Sequence, residues 1–190
     1  MAYHPDLVIV QINTSDVPDV ICRGGMERFQ KDGMVKIIPP IKTEWLYKRC
    51  WMYRWYLHNI KKYHWMLFPE DQYLAKRDQA LGRITDVAGL FKRLADSKGF
   101  SLAVVSHPLA EELIKGQYSH GLEAVLDQIA GQGIYLVNLM DYYSRRIGRN
   151  PAAVNRYYWP QDLHHNAPGY RLFAEGVLDG LTRGNLSCGS

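Results

Sequence analysis

The chain has 190 residues, 47% of them hydrophobic and 22% charged, with a formal net charge of +4. This composition suits one globular domain that buries about 70% of its unfolded surface, and it excludes a disordered chain. The basicity is too mild to argue for nucleic acid without a concentrated stripe, and Cys22, Cys50 and Cys188, far apart with no C-x-x-C, indicate neither a disulfide framework nor a zinc site.

No apolar run reaches the roughly 18 residues of a spanning helix. The opening "MAYHPDLVIVQIN" has no cationic segment ahead of a long apolar one, so it does not read as a signal peptide. Residues 6–13, "DLVIVQIN", read as a strand buried on both faces, as in parallel sheets. Residues 17–42 carry enough Pro and Gly to read as a long loop, with a small hairpin around "KDGMV". Residues 43–67 form a helix candidate capped by Thr43, with Pro69 just past its end. Over 79–97, helical spacing puts Leu81, Ile84, Val87, Ala88, Phe91, Leu94 and Ala95 on one face.

A second buried strand is expected at 100–108 and a helix at 119–133, stopped by Gly131 and Gly133. A third strand follows at 134–141, and a last helix at 168–183 has a proline near its first turn. Strands alternating with helices predict a parallel sheet covered on both faces. The expected architecture is one α/β domain, a three-layer α/β/α sandwich, with 20–78 as a long insertion.

The stretch "WPQDLHHNAPGYRLFAEGV", residues 159–177, holds the candidate chemistry. Asp162 and His164 are two apart, so on an extended loop they point the same way. The carboxylate could orient the imidazole while the other ring nitrogen faces a cleft, which is the general-base arrangement of acyl transfer. Asn166 could hold the loop through backbone groups or cap the following helix, and Gly169 would let that helix approach the sheet. The plainer alternative is a polar turn with a helix cap. Position favours chemistry, because sites in α/β sheets gather at the carboxyl ends of strands. "QDLHH" offers no third convergent ligand, so no metal is implied.

The block D-L-H-H-N-A-P-G-Y-R-L-F-A-E-G-V resembles the closing block of SGNH/GDSL-type hydrolases, which in one branch runs D-x-H-x-N-x-x-G-[HY] into a helix with an alanine. Asp162, His164, Asn166, Gly169, Tyr170 and Ala174 match it position by position. "HPDLVIVQINTSDVPD" is similar to that family's central strand and following loop, and "GFSLAVVSHP" and "GIYLVNLMDYY" resemble its next two strands. The resemblance covers residues 4 to 183. It implies a flavodoxin-like fold and hydrolysis or transfer of an ester acyl group through a serine acyl-enzyme. The substrate would be a small-molecule or glycan ester, with no cofactor. His164 would be the general base and Asp162 its orienting acid. Other branches use D-x-x-H, which makes His165 the alternative base; otherwise it is a flanking residue, often aromatic in the family.

The family's nucleophile is the serine of a G-D-S block after its first strand, and this chain has no G-D-S. The only Asp-Ser pair, Asp96-Ser97, falls at the end of a helix. By the resemblance the chain reads as the later part of such a domain, with the N-terminal strands missing and the strand at 6–13 left as an apolar edge. A preceding segment with an export signal would place the protein in the periplasm or on a membrane anchor; otherwise it would be cytoplasmic. Within the chain, Ser15 beside Asp16 is a rival nucleophile, without the glycines of a sharp nucleophile turn. Ser15 stands where the family carries an oxyanion-donating asparagine, and Asn13 lies two residues earlier, so both are candidate oxyanion-side donors. A catalytically inactive binding module is the alternative to an enzyme. The oligomeric state is not legible.

Residues 44–68, "EWLYKRCWMYRWYLHNIKKYHWMLF", hold four of the five tryptophans with Lys48, Arg49, Arg54, Lys61 and Lys62. They could form a sugar-stacking surface, a contact with a membrane surface, or a helix packed on the sheet with aromatic tips exposed. On one continuous helix the aromatics would cover nearly every face, which favours the last reading. Nucleic-acid stacking has no supporting motif.

Overall fold

The computed structural model describes residues 4–32, 34, 41–63, 69–160 and 164–186. The chain is mixed α/β and divides into two compact units. One comprises Met1–Thr14 with Thr85–Ser190, the other Ser15–Ile84.

The first unit is built on a parallel sheet of β1 (Leu7–Gln11), β2 (Ser101–Ser106) and β3 (Tyr135–Asn138), in the order β1-β2-β3. Val10, Val104 and Leu136 form one row across it. Parallel neighbours require crossovers, and helices supply them. β2 is the central strand, and its run of Leu102, Ala103, Val104 and Val105 is buried on both faces, which is why it reads as continuously apolar. β1 is not buried on both faces as read from its sequence, but it does lie at an edge among the described strands, the position also expected for 6–13. It pairs only with β2 among the described strands, and Ile9 is 46% exposed. None of its five residues is fully buried, so its faces are not covered as those of β2 are.

Helices α5 (Ala110–Lys115) and α6 (Leu122–Gly131) lie between β2 and β3. Leu122, Val125, Leu126 and Ile129 recur at i, i+3, i+4 and i+7, and all are fully buried. The buried Glu112 carboxylate accepts from the Leu109 and Ser119 amides at 2.9 and 2.7 Å, so it holds the ends of α5 rather than standing unpaired.

β3 is shorter than expected because the Asn138 side chain accepts from the Met140 amide at 3.0 Å and opens a new helix. That helix, α7 (Met140–Ile147), and the short α8 (Pro151–Val154) precede α9 (Ala167–Arg183). Gly180 of α9 lies against Val137, where a Cβ would clash with the valine side chain. The Tyr135 hydroxyl donates to the Gly180 carbonyl at 2.7 Å, so helix and strand meet backbone-close.

The second unit holds α1 (Asp16–Arg23), a 3₁₀ turn at Met26–Arg28, α2 (Glu44–Arg49), α3 (Trp51–Trp55) and a π-helical turn at Tyr56–Ile60. α4 (Glu70–Lys98) begins there and runs on into the first unit. The loop expected over 17–42 and the single helix expected over 43–67 both depart from the structure. The loop read over 17–42 contains α1, whose Pro18 sits in the first turn, where no amide donor is needed. The hairpin centre at Gly33 lies outside the described residues, but Gln30 donates to the Met34 carbonyl across it at 2.8 Å.

The single helix read over 43–67 is broken at Cys50, whose extended dihedrals turn the chain between α2 and α3; residues 64–68 lie outside the described residues. Thr43 does not cap with its side chain. Its hydroxyl bonds the Tyr53 hydroxyl at 2.6 Å instead.

In α4, Ile84, Ala88 and Ala95 are buried as expected, but Leu94 is exposed, being rotated off that stripe. The helix starts at Glu70, nine residues before the expected start, because its first turns are polar helix formers that show no apolar period. The Cys50 thiol is free and half-buried. Cys188 and the Cys22 side chain lie outside the described residues.

Candidate functional site

The strand ends of the first unit bring together side chains that are far apart in sequence. Gln11 closes β1 and His107 follows β2 directly. The Gln11 amide donates to His107 Nε2 at 2.8 Å. That leaves Nδ1 as the protonated nitrogen, and it donates to the Pro108 carbonyl at 3.3 Å. The same carbonyl accepts from the buried Tyr158 hydroxyl at 2.8 Å.

His165 lies on this platform. Its ring is 4.6 Å from His107 and 4.7 Å from Tyr158, centroid to centroid, and its Nε2 is 3.2 Å from the Tyr143 hydroxyl. It is 4% exposed. Burial first, and then the charges that His107 and His164 would carry, push its pKa down to about 3. Burial also holds His107 below its ordinary range, with the His164 charge adding to it and the Pro108 carbonyl and Glu112 opposing. The phenols of Tyr143 and Tyr158 are pushed up by burial and stay protonated. The buried cluster is therefore neutral at neutral pH. His165, the alternative base in the sequence, is a neutral and locked ring, unsuited to accepting a proton there.

His164 takes the opposite side. Tyr158 and His165 form an antiparallel bridge, flanked by the Trp159 amide donating to the His164 carbonyl at 2.7 Å and the Asn166 amide donating to the Tyr157 carbonyl at 3.1 Å. In such extended backbone, successive side chains alternate. His165 points into the cluster, so His164 points out, and it is exposed. Asp162, the expected orienting acid, lies outside the described residues.

Asn166 does both things considered for it. Its Oδ1 accepts from the Gly169 amide at 3.1 Å and caps α9, while its Nδ2 donates to the Arg156 and Tyr158 carbonyls at 2.9 and 3.4 Å. Gly169 is buried, and a Cβ there would strike the Tyr157 carbonyl and the His165 ring. Cap, bridge and glycine together fix the backbone that carries His164.

The oxyanion-side candidates fall differently. Asn13 is half-buried after β1, and Ser15 is exposed at the start of α1 in the second unit. Between them, Thr14 is 2% exposed and its hydroxyl has no hydrogen-bond partner among the described residues.

Gln11, His107, Tyr143 and Tyr158 were not among the sequence-predicted site residues. "SHP" at the end of an apolar strand carried a usable signal for His107, because it sets an imidazole at a carboxyl strand end. The two tyrosines lie on α7 and just after α8, elements that sequence reading did not find. Among the described residues no three His, Cys, Asp or Glu side chains gather in a way that could hold a metal ion. No protein-family model, curated protein or solved structure matches the chain.

Proposed function

We propose that residues 159–169 form the acid–base segment of a serine-type ester hydrolase or acyltransferase of SGNH type. His164 is the general base and Asp162 its orienting acid. The observation that carries the reading is the division of labour between adjacent histidines. His165 is sunk into a neutral aromatic cluster beside His107 at the strand ends, and His164 is turned outward from the same fixed backbone. The Asp162–His164 spacing suits orientation of the imidazole from the same side. The base would take the proton of a serine hydroxyl as that oxygen attacks the ester carbonyl. It would return the proton to the leaving alcohol, and water or a second alcohol would then discharge the acyl-enzyme. A small-molecule or glycan ester fits this chemistry.

A fluorophosphonate probe tests the reading. Labelling of one serine in the wild-type chain, abolished in His164→Ala, supports it, and mapping the adduct identifies the nucleophile. The sequence has no G-D-S block, and that observation favours the second reading, a binding module on the same scaffold. A chain that neither labels nor turns over any ester would establish the second reading over the first.

A further inference from the structure

In the second unit, α2, α3 and the following turn form a braced segment whose outer surface is mostly aromatic, aliphatic and cationic. Across the break at Cys50, Thr43 and Tyr53 share a hydrogen bond at 2.6 Å and Tyr47 bonds His58 at 2.8 Å, while His58 Nδ1 donates to the Tyr63 carbonyl at 3.0 Å. Leu57 is buried beneath. With those side chains turned inward, the exposed ones are aromatic, aliphatic or cationic apart from Asn59, whose side-chain amide donates to the Trp55 carbonyl at 3.0 Å. Met52 is 72%, Trp51 66%, Trp45 61% and Ile60 56% exposed, and Trp55 is also exposed. Lys42, Lys48, Arg49, Arg54, Lys61 and Lys62 are exposed among them. The one acidic residue of 41–63 is Glu44, already paired with Lys48 at 3.1 Å. Trp51, Arg54 and Trp55 share a groove of about 400 Å³ with Tyr47 and His58, and Lys61 stands 5.9 Å from the centre of the Tyr56 ring.

We propose that this segment docks on a bilayer surface containing anionic phospholipid. Tryptophan is at home in the headgroup region, with its ring in the apolar boundary. Lysine and arginine beside it gain from a negative surface. Charge complementarity is one-sided here, since no exposed carboxylate of the segment would repel an anionic surface. The aliphatic exposure selects among anionic partners. Sugars and bases stack on rings, but Met52 and Ile60 gain nothing from either and gain from acyl chain. Because the helix is broken at Cys50, the aromatics are not spread around one cylinder, and the absence of a clean stripe in the sequence no longer counts against surface binding. Among the described residues no helix is long and apolar enough to cross a membrane, so the contact is interfacial. The proposal stands apart from the acid–base reading and does not depend on it.

The test is cosedimentation of the full chain with vesicles of phosphatidylcholine mixed with phosphatidylglycerol, and with phosphatidylcholine alone. The expected result is binding to the mixed vesicles, a blue shift of tryptophan emission, and loss of binding as salt rises. Lys61→Gln and Lys62→Gln should each weaken binding about fivefold. Trp51→Ser with Trp55→Ser should weaken it about tenfold or more with an unchanged thermal melt, because both side chains are exposed. No binding to mixed vesicles at low salt would overturn the proposal. So would binding that these variants leave unchanged, or binding to an acidic polysaccharide or single-stranded DNA with none to vesicles.

Discussion

The imidazoles of His107 and His165 face each other 4.6 Å apart between ring centroids, tilted by 42°, and both are buried. Neither carries a charge at neutral pH, and each would repel the other's proton. The pair thus links the ends of the sheet to the segment before α9 only while it stays neutral.

Acid should release that link. In the unfolded chain each histidine takes a proton below about pH 6.5, whereas folded His165 resists until about pH 3. The stabilisation is fully present above pH 6.5 and is lost as pH falls toward 3. The expected slope from His165 is up to about 1.4 kcal/mol per pH unit, with His107 adding to it. Denaturant melts between pH 7 and 4 measure this, and His165→Phe, which keeps an aromatic ring, should flatten the slope. A stability independent of pH in that range would contradict the assignment.

Asn166 has two separable roles. Asn166→Ala removes the cap of α9 and both donations to the 156–158 backbone, and should cost about 1–2 kcal/mol. Asn166→Asp keeps an acceptor for the Gly169 amide, favoured at a helix N-terminus, but loses the donor. Its thermal midpoint should fall between those of wild type and the alanine variant.

Glycine substitutions should act with opposite signs. Gly169→Ala drives a Cβ into the Tyr157 carbonyl and the His165 ring, and should destabilise by about 1–3 kcal/mol. Gly82→Ala, on α4 with no other atom within 4 Å of the new Cβ, should stabilise by about 0.5–1 kcal/mol. Thermal melts of the two variants check both directions.

The parallel α/β class was legible because β2 is apolar without interruption and α6 repeats its apolar residues on one stripe. β1 misled in its faces, not in its edge position: an apolar run reads the same whether or not both faces are covered, and Ile9 is exposed. The break at Cys50 left no glycine or proline to mark it. It rests on side-chain bonds such as Thr43 to Tyr53, which periodicity does not record. α8 was missed although Asn150-Pro151, a cap followed by a first-turn proline, was a local signal for it; the Asn150 side chain accepts from the Ala152 amide at 2.9 Å. At the site, the spacing of 162, 164, 166 and 169 was readable locally. The cluster of Gln11, His107, Tyr143 and Tyr158 that fixes His165 was not, because it is assembled from two strand ends, α7 and the stretch after α8.

The most direct test of the account is ester turnover, p-nitrophenyl acetate being the simplest substrate, measured with thermal stability for the wild-type chain, His164→Ala and His165→Phe. The account predicts that His164→Ala loses about 10²–10⁴ in kcat/KM while its melt is unchanged. His165→Phe should keep turnover within a few-fold while its melting midpoint drops through loss of the Tyr143 partner. Turnover retained in His164→Ala, or lost only in a fully folded His165→Phe, would contradict the assignment of the outward histidine as the base.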